Sequence, residues 1–486
     1  MATRISIPPL EENNLIRNNC FGQKLSFYRY TGSGSAEVMA GPPVFCRVST
    51  GTLFHAFDID NQEHANPDGV FPYNGTFVFK FRARGKGKLC AGVRWRISHF
   101  RGDMDLMERE TPEYTLEEEF KEYRLEGIID DPRVSVADRL FFKVTEGFAD
   151  ITAISLYYPE PKHDVTFDRP HIVALPGEEF TFKCSGAEKI ICCYGHCENE
   201  LAQEILPGSG KYKMLFRATG GEGMRFVGIG KEQNSRHSLF VSSPAPELTA
   251  QMRKYRFGSK PKHLLFFGDS LTAYDAGRNY TDIAGAFLPD NWTYMNAGIG
   301  GDDLLRLAKR LQGKPLTYRL EHFEHIWDKT PDEIFLLYGA NDTKAPWRTD
   351  FKIPTTTPEE QKTLWEEIRE VFHAKAPEAR VTIISATPGF HPYQLERTGR
   401  LKVQEINHML FGIPEHVKRF NRIAKKFAAS NNWSYLDFHK VCSKHGDPQS
   451  LFVPDDGVHM SLSGHQLLAS ALLKHMSKKQ IGASRK

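Results

Sequence analysis

The sequence predicts a multidomain chain: an all-β sandwich of jelly-roll-like type over residues 1–159, a small second β domain over 160–246, a linker over 247–261, and an α/β domain with a parallel sheet over 262–482. Three observations carry this reading. The first half of the chain alternates apolar and polar residues with period two between glycine and asparagine turns. The run Ser242-Ser-Pro-Ala-Pro246 then breaks the pattern, as a boundary does. Beyond it, short apolar runs alternate with stretches of helical period, the pattern of βα units around a parallel sheet. A length of 486 residues accommodates several such units.

In the first region, Asn74-Gly75 reads as a turn before Thr76–Arg82, where Phe77, Phe79 and Phe81 share one face. Gly85-Lys-Gly-Lys88 reads as a second turn, leading into a partner strand in which Ala91, Val93, Trp95 and Ile97 alternate. Further strands are expected at Phe120–Leu125, Arg139–Val144 and Asp150–Tyr157. Many short alternating strands imply a sandwich or jelly roll. In the second region the clearest strands are Glu179–Cys184, Tyr212–Arg217 and Met224–Ile229. Pro207-Gly-Ser-Gly-Lys211 lacks the leading glycine and the hydroxyl residue of a phosphate loop and reads as a hairpin turn. In the third region, strands at 263–267, 292–296, 333–338, 380–386 and 433–437 alternate with helices. Two of these are 358–375, with Leu364, Ile368, Val371 and Phe372 on one face, and 414–430, with Val417, Phe420, Ile423 and Phe427.

Composition narrows the classes of function. The chain is 40% hydrophobic and 25% charged, ordinary for a soluble globular protein. A net charge of +3, with basic residues spread along the chain, gives no field for nucleic acid. No stretch has transmembrane length, so no membrane insertion is expected. The N-terminus lacks the apolar run of a signal peptide and reads as cytoplasmic; export with the signal already removed is the alternative. Cys184, Cys192, Cys193 and Cys197 cluster near His196, but Cys-x7-Cys-Cys-x3-Cys is not a zinc-knuckle spacing. Strand thiols are favoured, with a disulfide second, and no metal or other cofactor is expected. Oligomeric state is not legible.

Chemistry concentrates in four loop motifs of the third region. Phe267-Gly-Asp-Ser270-Leu-Thr272 ends the first strand, and a serine there sits where α/β sheets place their ligand crevice. Asn296-Ala-Gly-Ile-Gly-Gly301, Gly339-Ala-Asn341-Asp342 and Asp456-Gly-Val-His459 follow in order. A serine hydroxyl needs a base, which His459 supplies, and a group orienting the base. Asp456 lies three residues before His459 and is favoured over its neighbour Asp455. Gly301, read as opening a helix with Leu304, Leu305, Leu307, Ala308 and Leu311 as its apolar positions, offers a backbone N–H to an oxyanion. The Asn341 amide and the Ser270 N–H are the other two donors. Taken alone, Ser270 would read as a helix N-cap and Asn341 as a turn residue; the four motifs together outweigh those readings.

These four motifs resemble the blocks of the SGNH, or GDSL-type, serine hydrolases. The resemblance covers about residues 260–480 and implies a three-layer flavodoxin-like domain. It implies a triad of Ser270, Asp456 and His459, and an oxyanion hole of Ser270, Gly301 and Asn341. No Gly-x-Ser-x-Gly elbow surrounds Ser270, which sets the chain apart from α/β-hydrolases. Two loops leaving strand ends are candidate substrate contacts: one with Lys344, Trp347 and Arg348, the other with His391, Tyr393 and Arg397.

Residues 1–159 resemble β-sandwich carbohydrate-binding and galactose-binding-like domains in Asn14–Asn18, Phe79–Gly85, Phe120–Tyr123 and Ala149–Leu156. Trp95, His99 and Tyr123 are candidate sugar contacts, although Trp95 is in phase with the core. The expected function is hydrolysis of a small acyl ester, acetyl foremost, on an acylated small molecule or glycan. A lipid-ester or thioester hydrolase is the runner-up. A glycan-binding or interaction protein with a dormant hydrolase fold is the alternative from another class. Five Asn-x-Ser/Thr sequons, at Asn74, Asn279, Asn291, Asn341 and Asn432, read as chance.

Overall fold

The computed structural model describes residues 2–4, 28–40, 42–55, 76–96, 106–128, 137–157, 165–169, 171–194, 203–217, 224–230, 236–242, 244–273, 279–313, 325–346, 349–400, 409–454 and 457–483. Asn14–Asn18, Asn74, His99, Ile97 and Asp455–Asp456 therefore lie outside the described residues.

The N-terminal region is β-rich, as its alternation predicts. Phe77, Phe79 and Phe81 all point into one core with Leu89, Phe142 and Ile154. The strands form one continuous antiparallel sheet of eight rather than two separate sheets. Its spine is a pair of long strands, Thr76–Arg96 and Ala137–Tyr157. Gly85–Lys88 is therefore not a turn, and residues 139–157 are not two strands. The physical reason lies at the midpoint of the pair, where Gly87 faces Gly147. A Cβ on Gly87 would come within 1.8 Å of the Glu146 carbonyl oxygen, and one on Gly147 within 1.8 Å of that of Lys86. The glycines let two strands bend together at close range, so their function is a shared corner.

The second β region packs a three-stranded and a five-stranded sheet over one core containing Phe180, Phe182, Ile190, Phe226 and Leu239. The expected strands are present as Glu179–Ser185, Gly210–Leu215 and Met224–Gly230. The segment around Pro207–Lys211 is not a hairpin. Gln203–Pro207 belongs to the five-stranded sheet and Gly210–Leu215 to the three-stranded one, so the segment carries the chain from one sheet to the other.

The C-terminal region is a parallel sheet with helices. Its strands are Thr293–Gly298, His263–Gly268, Glu333–Leu337, Arg380–Ile384 and Ser434–Leu436 in spatial order, every neighbouring pair parallel. Successive residues face opposite cores. Leu264 and Phe266 pack with Tyr280, Leu468 and Leu472, while Leu265 and Phe267 pack with Leu304, Ile368 and Phe420. Burial on both faces is why these strands read as continuous apolar runs. The first strand of this region, His263–Gly268, lies between its second and third. That order places a topological switch point at the carboxyl end of His263–Gly268.

Two boundaries differ from the sequence reading. Thr3–Arg4 pairs in parallel with Thr293–Tyr294, so the start of the chain adds a sixth strand to this sheet instead of joining the N-terminal β region. Residues 247–261 are not a free linker. Pro246–Met252 is a helix whose Met252 is buried in a core of the C-terminal region, with Tyr255 and Phe257 packed on it. Pro246 at the first helical turn favours the helix start, and apolar side chains dock it.

Candidate active site

Strand ends build the site. Gly268 and Gly298 end adjacent strands and lie opposite each other. A Cβ on Gly268 would meet Thr272 Oγ1 at 2.1 Å, and one on Gly298 would meet the Ala273 nitrogen at 2.6 Å. Their missing side chains let the short helix Ser270–Ala273 sit directly on the sheet. Asp269 accepts from the Leu271 N–H through Oδ1 at 2.9 Å, and its carbonyl accepts from Thr272 and Ala273. Asp269 thus caps this helix, and the N-cap reading of Ser270 falls away. The Ser270 hydroxyl is left to His459, whose Nε2 lies 2.9 Å from Ser270 Oγ.

The His459 loop is fixed by its backbone. Val453 N–H donates to the His459 carbonyl at 2.9 Å, and Phe390 N–H donates to the Gly457 carbonyl at 2.7 Å. Tyr393 packs edge-on against Phe390 at 4.6 Å and supports the same loop. Ser270 is 9% exposed and His459 half-buried, so the pair is sheltered yet open on one side.

Gly301 lies in a turn with φ of +75°, and it does not open the following helix. That helix is Leu304–Leu311, with Asp303 as N-cap accepting from the Arg306 N–H at 2.9 Å. Asp342 accepts from the Leu304 N–H at 3.1 Å. Two carboxyl groups, those of Asp303 and Asp342, therefore occupy the helix N-terminus. The expectation that its dipole serves an oxyanion fails, leaving the backbone N–H of Gly301 as the donor available from this loop. Leu305, expected among the apolar positions, is exposed. Asp302 forms a buried ion pair with Arg310 and accepts from Tyr338 Oη at 3.0 Å, tying the Gly301 turn to the helix and to the neighbouring strand.

Asn341 is buried in the short helix Ala340–Thr343 that follows Glu333–Leu337. Its Nδ2 lies 3.5 Å from Asp269 Oδ2, and its Oδ1 accepts from Lys344 Nζ at 3.1 Å. Two buried carboxyls near the site are displaced from their usual range. Burial pushes Asp269 up to about 6 against the pull of the Leu271 N–H and the His459 ring. Burial, then the Asp303 charge, pushes Asp342 up to about 8.

The sequence reading gave no role to Asp269, Asp302, Asp303 or Asp342. The available signal was an aspartate at each motif, beside the serine, glycine and asparagine. Asn296 was also missed: it donates to the Thr272 carbonyl at 2.6 Å and accepts from the Gly298 N–H at 3.0 Å.

Among the proposed substrate contacts, Lys344 is half-buried and its Nζ is engaged with Asn341 Oδ1. His391 is half-buried at the start of the helix His391–Arg400, which replaces the expected loop. Trp347, Arg348 and the Arg397 side chain lie outside the described residues. Tyr123, a candidate sugar contact, stacks on Phe81 at 5.5 Å and leans on Tyr114 at 4.7 Å, which uses its faces for packing. The side chain of Trp95 is outside the described residues, although its backbone pairs within the long strand.

Cys184 and Cys192 are buried in the second β region, and burial pushes the Cys184 thiol up to about 11. The side chains of Cys193, His196 and Cys197 lie outside the described residues. Asn279 is a fully buried N-cap, and with Asn341 also buried, two of the sequons are closed to modification as folded.

The fold and this site define an ester hydrolase. The sequence model of the GDSL-like Lipase/Acylhydrolase family matches residues 266–467, and this match supports an ester hydrolase. Among solved structures, a lipase/acylhydrolase from Enterococcus faecalis is 20% identical, aligned over 45% of this chain and 96% of its own, with a TM-score of 0.32. A carbohydrate acetylesterase from Sinorhizobium meliloti is 17% identical over 45% of this chain and 99% of its own, with a TM-score of 0.31. A family two carbohydrate esterase from Clostridium thermocellum, solved with cellohexaose, is 10% identical over 93% of this chain and 99% of its own, with a TM-score of 0.31. No curated protein matches the chain in sequence.

Proposed function

We propose that the chain is a serine esterase that removes small acyl groups, acetyl foremost, from carbohydrate. One observation carries the catalytic part: Ser270 Oγ and His459 Nε2 stand 2.9 Å apart at the switch point of the sheet. In the reaction, Ser270 Oγ attacks the ester carbonyl carbon while His459 Nε2 takes the hydroxyl proton. The tetrahedral oxyanion is met by the N–H groups of Ser270 and Gly301 and by Asn341 Nδ2. Collapse expels the alcohol, which receives the proton from His459. Water, deprotonated by His459, then frees the acid and regenerates Ser270. Asp456 is the orienting carboxylate on the argument of its spacing from His459. The partner is an acylated small molecule or glycan. The carbohydrate part rests on the company of a β-rich N-terminal region.

Ser270→Ala tests the catalytic part. Wild type should hydrolyse p-nitrophenyl acetate and the variant should not, with unchanged thermal unfolding. A serine-directed phosphonate should label Ser270 and no other serine by mass spectrometry. An active Ser270→Ala variant would sink the assignment.

A further inference from the structure

Asn341 can serve an oxyanion only if its amide is turned the right way. The two ends of a carboxamide are nearly equal in size and opposite in character. With Nδ2 toward the crevice the group donates to the oxyanion; flipped, Oδ1 would repel it. What selects the orientation must therefore be chemistry around the amide.

Two neighbours of opposite character flank it. Lys344 Nζ sits 3.1 Å from Asn341 Oδ1, and Asp269 Oδ2 sits 3.5 Å from Asn341 Nδ2. An ammonium carries donors only, so only Oδ1 can face it; an ionised carboxylate accepts only, so only Nδ2 can face it. The lysine contact is the shorter one and bears a charge, and charge-assisted bonds are the stronger class.

The fold places Lys344 for this. It follows the helix Ala340–Thr343 by one residue, in extended conformation, and its carbonyl accepts from Thr355 N–H at 2.8 Å. The next two residues, Ala345–Pro346, pair with Met409–Leu410. The adjacent Phe411 ring lies 5.5 Å from Nζ. Burial lowers the pKa of the amine and Arg306 adds to that pressure; Asp303, Asp342 and Asp269 oppose it.

We propose that Lys344 is a positioning residue of the oxyanion hole, holding the Asn341 amide so that Nδ2 faces the reacting carbonyl. This rests on the esterase reading above and replaces a substrate-contact role for Lys344. Lys344 touches no reacting atom. Its effect falls on transition-state charge, so it appears in kcat and not in KM.

The test compares Lys344→Met with Lys344→Gln on p-nitrophenyl acetate, with thermal unfolding as a fold control. Methionine keeps the stem volume and has no donor; glutamine keeps a donor for Asn341 Oδ1 without the charge. Lys344→Met should lower kcat by roughly 10–100-fold with KM within about twofold, below the loss from deleting an oxyanion donor outright. Lys344→Gln should recover part of that loss. In an Asn341→Ala background, which removes the amide to be held, Lys344→Met should cost less than about threefold. A Met variant with wild-type kcat overturns the proposal. So does a loss confined to KM, or an undiminished loss in the Asn341→Ala background. Absence of turnover by wild type would instead bring down the esterase reading itself.

Discussion

Asp269 stands beside Ser270, the proposed nucleophile, and links the fold to the proposed chemistry. Its carboxylate caps the nucleophile helix and faces the Asn341 amide, while burial lifts it from the usual 3.8 to about 6. A carboxyl whose folded value is raised makes no demand on stability while both states are protonated. The cost grows as pH rises from the unfolded value through the folded one. Asp269→Asn removes that cost. The variant should therefore gain on wild type between pH 4 and pH 7, by up to about 3 kcal/mol. Denaturant unfolding at the two pH values measures this, and a stability gap that stays constant across the interval contradicts it. At the same scale, His459→Ala should be nearly as damaging to turnover as loss of Ser270, since serine loses its base. Asp456→Asn should cost less, and Asp455→Asn little. Greater sensitivity at Asp455 would reassign the orienting carboxylate.

At the scale of the element, the Gly301 turn is held by a buried ion pair. Asp302, next to Gly301, meets Arg310 two turns along the helix Leu304–Leu311, both essentially excluded from solvent. Burial lowers Arg310 to about 10, as expected of a cation held in a poorly polar medium. Removing one partner strands the other. Arg310→Met should destabilise by about 3–5 kcal/mol, whereas Asp302→Asn combined with Arg310→Met should recover most of that. The comparison is a double-mutant cycle in urea; equal losses in the single and double variants would show that the pair contributes only packing. Elements of this kind were legible in part. The helix Pro358–Lys375 was readable from end to end, because its apolar stripe follows Thr357 and Glu360, which form a capping box in the structure. The helix after Gly301 was misplaced at its start, because a glycine looks like a beginning while the true cap, Asp303, follows a second aspartate, Asp302.

At the scale of the whole molecule, the three regions are less separable than their sequence boundaries imply. Thr3–Arg4 forms the edge of the hydrolase sheet, with Ala2 N–H bonded to the Gly285 carbonyl and Thr3 N–H to that of Trp292. Glu178 of the second β region forms a two-bond ion pair with Arg253, just past the helix Pro246–Met252. Deleting residues 1–159 would therefore uncover a sheet edge as well as remove a β region. Activity should fall on small soluble esters and on polymeric acetylated substrate together. Deleting residues 1–4 alone should lower the unfolding midpoint by a few degrees, for a loss of about 1–3 kcal/mol. If the longer deletion spares the small ester and impairs only the polymer, the N-terminal region is a tethered targeting module instead. Unchanged activity on both substrates would remove it from either role.

The sequence by itself determined most of the kinds of element, their order in the α/β region and the four loop motifs of the proposed site. Periodicity, turn chemistry and glycine placement act over a few residues and leave a mark in the string. Only the tertiary structure decided that Ser270 and His459, 189 residues apart, meet at one strand end. It also decided that Gly85–Lys88 is a corner inside one long strand, that the first residues complete the last domain's sheet, and that Lys344 and Asp269 flank Asn341. Each of these depends on which distant backbone comes close and which charges lose water, and neither closeness nor desolvation is written in the spacing of residues along a chain.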